Sequence, residues 1–253
     1  MIWNRPVSTF LTVKSLSKAL EFSERNVRWI LLDQNSGHLT KTVIHHLVKS
    51  LPNVHLISSR ENLGIARGWE MLLKEFAEEY LLFLENDWLC DSISDWFIRD
   101  GIEILASHDE CAFVKLRSIH DRNDFGWGKI HYAPWSVPGG HAFMEEHQTD
   151  AERKYWMIPS SHSGFTLNPI LARKDFVEEI LPYFLENRNW ANVLRSGEEA
   201  PSTYWRGQRK WKSATLTSGP FRHTGFYDVH DKLLTFPTYF IRFLRNGRAK
   251  SIP

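Results

Sequence analysis

Short apolar runs separated by polar turn residues organise the first half of the chain. Val7–Val13 (VSTFLTV), Trp29–Asp33 (WILLD), Val54–Ser58 (VHLIS), Tyr80–Leu84 (YLLFL) and Cys111–Leu116 (CAFVKL) each read as a strand. Helical patterns lie between them. In Gly64–Phe76 the apolar set Ile65, Trp69, Leu72, Leu73 and Phe76 recurs with the period of a helix. Ser15–Asn26, Leu39–Leu51 and Ser92–Ser107 also read as helices. Strands alternating with helices imply an α/β fold with a mainly parallel sheet covered on both faces. Such sheets bind ligands beyond the carboxyl ends of their strands. Asp33 and the Glu85-Asn86-Asp87 run both fall just after strands, so the fold is expected to bring them together.

The second half has a different texture. Residues 118–163 are rich in Gly, Pro, His and aromatics and show little periodicity, which points to a functional loop region rather than a plain connection. Lys174–Glu186 reads as a helix, Arg195–Pro201 as a polar loop, Lys212–Thr217 as a late strand and Thr238–Arg245 as a closing helix. No repeat or low-complexity segment is visible. The expectation is one domain over residues 1–253, with two halves of different texture at about 1–116 and about 117–253.

Composition narrows the class. A formal charge of +1 gives no field that would draw nucleic acid or anionic lipid. Two cysteines, Cys90 and Cys111, are too few for a disulfide framework and fit a reducing compartment. No apolar run reaches the roughly 18 residues of a spanning helix, and no secretory signal pattern is seen, so a cytoplasmic protein is expected. The 11 tryptophans are unusual and suit stacking against sugars or bases as well as core packing.

Three clusters carry candidate chemistry. In Glu85-Asn86-Asp87 a buried strand runs straight into two carboxylates at i and i+2, which point the same way in extended backbone. Two oxygen donors on one face suit a hard divalent cation that also holds a diphosphate. Glu61-Asn62-Leu63-Gly64-Ile65-Ala66-Arg67-Gly68 opens a helix. Its glycines permit close backbone approach, the helix start favours anions, and Arg67 is placed to pair with phosphate. Asn62 also reads as an ordinary helix cap. Asp33-Gln34-Asn35-Ser36 ends a strand in a polar turn, where Asp33 either meets a base or ribose or serves the turn itself.

Together these clusters resemble the GT-A glycosyltransferases, especially the group typified by bacterial family-2 enzymes. The resemblance covers about residues 7–116 well and the remainder loosely. It implies a Rossmann-like GT-A sheet and a nucleotide-diphosphate sugar donor (UDP-, GDP- or dTDP-linked). It also implies a divalent cation, Mn²⁺ or Mg²⁺, and a hydroxyl acceptor, expected to be carbohydrate. Asp87 would ligate the metal directly. Glu85 would reach it through water or hold the ribose. Asn62, Gly64, Arg67 and Asn86 would line the donor site beside Asp33. The downstream Glu198-Glu199 pair would supply the base of an inverting displacement, because a carboxylate can take the acceptor hydroxyl's proton. His223 would join the metal or diphosphate, with Arg222 an alternative phosphate contact. Trp127, Trp135, Trp156 and Ser163 would sit on the acceptor side.

Three other readings compete. A nucleotidyltransferase shares the need for metal but usually carries a Gly-rich, basic signature after its first strand, and Val7–Ser17 has no glycine. A non-catalytic sugar- or nucleotide-binding homologue would use the same pocket. A transferase acting on DNA bases, with Arg242, Arg245, Arg248 and Lys250 on phosphate, disagrees with the near-neutral charge. No Cys/His cluster has zinc-site spacing.

Overall fold

A computed structural model describes residues 1–21, 23, 26–117, 143–165, 169–185 and 199–223. The chain opens with helix α1 (Pro6–Ala19), followed by β1 (Trp29–Asp33), α2 (His38–Ser50), β2 (Val54–Ser58), α3 (Gly64–Lys74) and β3 (Tyr80–Phe83). Then come β4 (Trp88–Cys90), α4 (Trp96–Ser107), β5 (Cys111–Lys115), β6 (Glu145–Gln148), β7 (Lys154–Pro159) and β8 (Ile170–Arg173). Helices α5 (Lys174–Leu185) and α6 (Glu199–Gly207) precede β9 (Lys212–Leu216) and β10 (Phe221–His223).

The strands form three sheets. β1 and β2 pair in parallel, with Asp33 opposite Ser58 at their carboxyl ends. A six-stranded sheet has the order β3-β8-β5-β9-β7-β6. Its pairings are mixed, and four of its strands, β3, β5, β9 and β6, run the same way against β8 and β7. A short ladder joins β4 to β10 in antiparallel register.

Alternate side chains of each strand go to opposite faces. On one face Phe83, Phe113, Ile170 and Ala172 pack with Trp69 and Leu72 of α3, Phe176 and Ile180 of α5, and Trp205 of α6. On the other, Val114, Leu171, Ala214 and Leu216 pack with Leu16 of α1 and Phe97, Ile104 and Leu105 of α4. The expected α/β sheet flanked by helices is therefore present.

Several local readings are corrected. Val7–Val13 is helix, not strand: Pro6 presets the first turn, and Thr9, Thr12, Val13, Leu16 and Ala19 are buried at helical spacing. The helix expected over Ser15–Asn26 is the continuation of this same helix, which ends at Ala19. The expected loop at Arg195–Pro201 gives way to α6 from Glu199 onward. Strands β6, β7 and β8 occupy stretches of the second half in which no strand was expected. Thr238–Arg245, Trp127 and Trp135 lie outside the described residues, as does Glu198. No helix among the described residues is long and apolar enough to cross a membrane.

Candidate functional site at the strand ends

The site assembles around the turn Ile2–Arg5, which passes the carboxyl ends of β1 and β3. Ile2 bridges to Asp33 in parallel register. Asn4, buried and in left-handed backbone at φ 49°, donates one bond to the Asp33 turn and accepts another from it. Its N–H donates to Ser36 Oγ at 3.1 Å, and its side-chain oxygen accepts from the Gly37 N–H at 2.7 Å. The next residue, Arg5, donates to Asp87 Oδ2. One dipeptide thus ties the Asp33 turn to the acidic motif.

Asp33 itself is buried and accepts the Ser36 N–H at 3.0 Å, so one carboxylate oxygen shapes its own turn. Gln34 Oε1 accepts the Leu63 N–H at 2.9 Å and docks the start of α3 on the same turn. Asn62 Oδ1 accepts the Gly64 N–H at 2.9 Å. Gly64 has φ +73°, a conformation that side chains disfavour, and Arg67 is exposed one turn further on. A Cβ on Gly68 would come within 2.4 Å of Met1 Sδ and 3.3 Å of Gln34 Nε2, so this glycine serves close packing.

The acidic motif leaves β3 with three differently placed side chains. Glu85 is half-buried. Asn86 Nδ2 donates to Thr9 Oγ1 on α1 at 2.9 Å, which anchors the motif to that helix. Asp87 turns inward, with 15% of its side chain exposed. There its Oδ2 meets both Arg5 and, at 3.4 Å, His223 Nε2. Burial works against the Asp87 charge, but the bonds and charges of His223 and Arg5 outweigh it and hold the carboxyl below its ordinary value.

His223 arrives through the β4–β10 ladder, which sets it directly opposite Trp88. The fully buried Trp88 meets the imidazole edge-on, with ring centroids 5.1 Å apart. The Arg117 guanidinium lies 4.6 Å over the same indole. Arg117 is buried past the end of β5, and burial and Arg117 together push the buried Lys115 ammonium down to about 7. Arg222, the alternative phosphate contact, is exposed and bonds Asp91 at 2.6 Å.

Other expected site residues lie elsewhere. Ser163 is buried in the interior, where its hydroxyl oxygen accepts from Ser213 at 3.0 Å and from Trp205 Nε1 at 3.1 Å. Trp156 is half-buried on β7, opposite Glu146 and Thr215. Glu199 is the first residue of α6. Asn4, Arg5, Trp88, Arg117 and Lys115 escaped the sequence reading. The signal for the first two was Asn4-Arg5-Pro6, a turn residue and a proline that mark a helix start.

Asp87 and His223 are the described groups suited to hold a cation together. Among the described residues no cluster gathers three or more His, Cys, Asp or Glu for a metal. A carboxylate and an imidazole converging on one point fit a divalent ion that takes its other ligands from phosphate oxygens and water.

Comparisons with known proteins bear on the family and the fold. The profile of the glycosyl transferase family 2 matches residues 4–167. A comparison with curated proteins finds no significant match. Among solved structures, Staphylococcus aureus TarS 1–349 superposes with a TM-score of 0.57 at 17% identity, covering 90% of this chain and 60% of TarS 1–349. The same protein in complex with UDP gives 0.53 at 12% identity, over 87% and 56% of the two chains. GalNAc-T7 with UDP, GalNAc and Mn²⁺ gives 0.54 at 12% identity, over 88% and 42%. At such identities the likeness establishes a shared GT-A fold. The chain spans 60% or less of the length of each of these structures.

Proposed function

We propose that this chain, which belongs to glycosyl transferase family 2, moves a sugar from a nucleotide-diphosphate donor to a hydroxyl acceptor. The observation that carries the reading is the convergence of Asp87 and His223 at the carboxyl ends of the strands, where α/β sheets bind ligands. Asp87 and His223 would hold Mn²⁺ or Mg²⁺. When bound, the ion would neutralise negative charge on the leaving diphosphate.

The chain's own groups divide the remaining tasks. Trp88 sets the His223 ring, and Asn86 locks the acidic motif onto α1. Arg5 neutralises Asp87 and is placed to share it with an incoming cation. Asn62, Gly64 and Arg67 offer an exposed helix start to the diphosphate, while Asp33 lies beneath the nucleoside side. UDP-sugars are the first donors to try, because two of the structurally similar proteins were solved with UDP. Release of nucleoside diphosphate from UDP-, GDP- and dTDP-sugars, with and without Mn²⁺, tests the reading. Metal-stimulated release from one donor class supports it, and none from any donor at any metal level contradicts it.

The proposed stereochemistry is inversion, with Glu198 or Glu199 as base. One of Glu198→Gln and Glu199→Gln should lower kcat by roughly 10²–10⁴ with donor affinity kept, the range for loss of general-base assistance. The other should be mild, because two adjacent side chains cannot both reach one hydroxyl. Product of retained anomeric configuration would rule inversion out.

A further inference from the structure

The carboxylate oxygen best placed to take a cation is already engaged by a guanidinium. Arg5 and His223 both meet Asp87 at one atom, Oδ2, with His223 Nε2 3.4 Å away. An octahedral divalent ion with bonds of about 2.1 Å holds neighbouring donors about 3 Å apart. The spacing of Oδ2 and Nε2 is close to that. An ion held by this pair therefore sits on the same oxygen to which Arg5 donates.

Arg5 is fixed there by its backbone as well as by its charge. It caps the start of α1, and its carbonyl accepts the Thr9 N–H at 2.9 Å. The Thr9 hydroxyl in turn accepts from Asn86 Nδ2 at 2.9 Å, so the same helical turn carries the acidic motif. Asn4, one residue earlier, is bonded to the Asp33 turn on both sides. The guanidinium and the Asp87 carboxylate thus face each other from a common frame. Their exposure differs, at 34% of the Arg5 side chain against 15% of the Asp87 side chain. The carboxylate is enclosed, while the arginine head borders solvent.

Charge then decides what can enter. Asp87 and Arg5 cancel each other. A bare divalent ion would bring two positive charges beside a guanidinium in a largely enclosed place, where water screens little. The diphosphate of a nucleotide sugar carries two negative charges and restores the balance. Its oxygens are also strong acceptors for an arginine, so Arg5 keeps a partner when an ion takes part of Oδ2.

We propose that Arg5 is a gate for the cation: it holds Asp87 against a bare divalent ion and shares Oδ2 only with an ion that arrives with a diphosphate. The gate rests on the assignment of Asp87 and His223 to the metal, and it adds that metal and donor are taken up as one unit. By linkage, nucleotide then strengthens metal binding by the factor by which metal strengthens nucleotide binding.

Uptake of Mn²⁺ by the chain, followed through loss of the EPR signal of the hydrated ion with and without UDP, tests the gate. The wild-type chain should bind Mn²⁺ weakly alone and far more tightly with UDP. Arg5→Gln should bind Mn²⁺ alone at least about tenfold more tightly than wild type, within the usual range of coupling between sites, and its gain from UDP should shrink by a like factor. Arg5→Lys, which keeps the charge, should stay near wild type. Damage to the turn would weaken metal binding, so a gain separates a gate from a merely structural arginine. If Arg5→Gln does not fold, Arg5→Met is judged by the same criterion. Unchanged or weaker binding of Mn²⁺ alone in the neutral variant overturns the gate, and loss of the Mn²⁺–UDP response in Asp87→Asn then leaves the metal assignment standing. Undiminished Mn²⁺ binding in Asp87→Asn overturns the assignment and the gate together.

Discussion

The six-stranded sheet and the β1–β2 pair are held by different means. Every residue of β5 is buried, and its neighbours β8 and β9 are nearly so. Aromatic rings close one face: Phe113 lies 4.7 Å from Trp205 and 5.5 Å from Phe176 between centroids. β2 has no fully buried residue, and β1 buries only Leu31 and Leu32 in apolar clusters, with polar ties from Asn4, Gln34 and Arg28 around it. Apolar packing is non-directional and supplies most of the folding free energy. The polar ties supply less, but they specify geometry, and they lie where the candidate site requires it.

The contrast predicts a graded series. Phe113→Ala should cost most, about 3–5 kcal/mol by the usual toll of emptying a core aromatic position, read by denaturant unfolding. A loss under about 1 kcal/mol would mean that the aromatic cluster relaxes freely around the hole. Asn4→Ala should cost less, about 1–3 kcal/mol, because it orphans the Gly37 N–H in a part-buried turn. Its larger effect should be on donor affinity, since Arg5 and the Asp33 turn lose their shared anchor. Stability lost with nucleotide affinity intact would make Asn4 a structural residue alone.

The smallest effect belongs to Glu179, at the outer edge of the aromatic cluster. Burial raises its carboxyl, but bonds from Lys210, Tyr204 and Trp211 outweigh this and leave it below the ordinary carboxylate value. A folded value below the unfolded one adds stability above the usual carboxylate range and loses it as pH falls through the folded value. The deficit of Glu179→Gln should therefore be greatest near neutrality and shrink under acid. A deficit that stays constant with pH would remove the charge from the explanation.

The same contrast explains what was legible in the sequence. The bounds of β1 and β2 coincide with their apolar runs, because each is a short run rich in β-branched and apolar residues bounded by polar turn residues. The three clusters of the first half were visible because turn and helix-start chemistry is local. α1 was misread because Val, Thr and Phe favour strands, while its burial period is helical. β6 has four polar residues, Glu145–Gln148, at the sheet edge, so no hydrophobic signal marks it. His223 was singled out, but its meeting with Asp87 depends on a three-residue ladder that no local pattern announces. Arg5 and Arg117 were missed because only tertiary structure gives them partners.

A titration of Mn²⁺ in the presence of UDP, followed by thermal shift, probes the pairing of Asp87 with His223 most directly. A ligand that binds only the native state raises its apparent stability. The wild-type chain should show a saturable rise in Tm that needs both Mn²⁺ and UDP. Asp87→Asn should lose it altogether, and His223→Ala should require far more metal, each read as the rise above the variant's own metal-free Tm. An undiminished Mn²⁺-dependent rise in Asp87→Asn would contradict the assignment of this site to the cation and diphosphate.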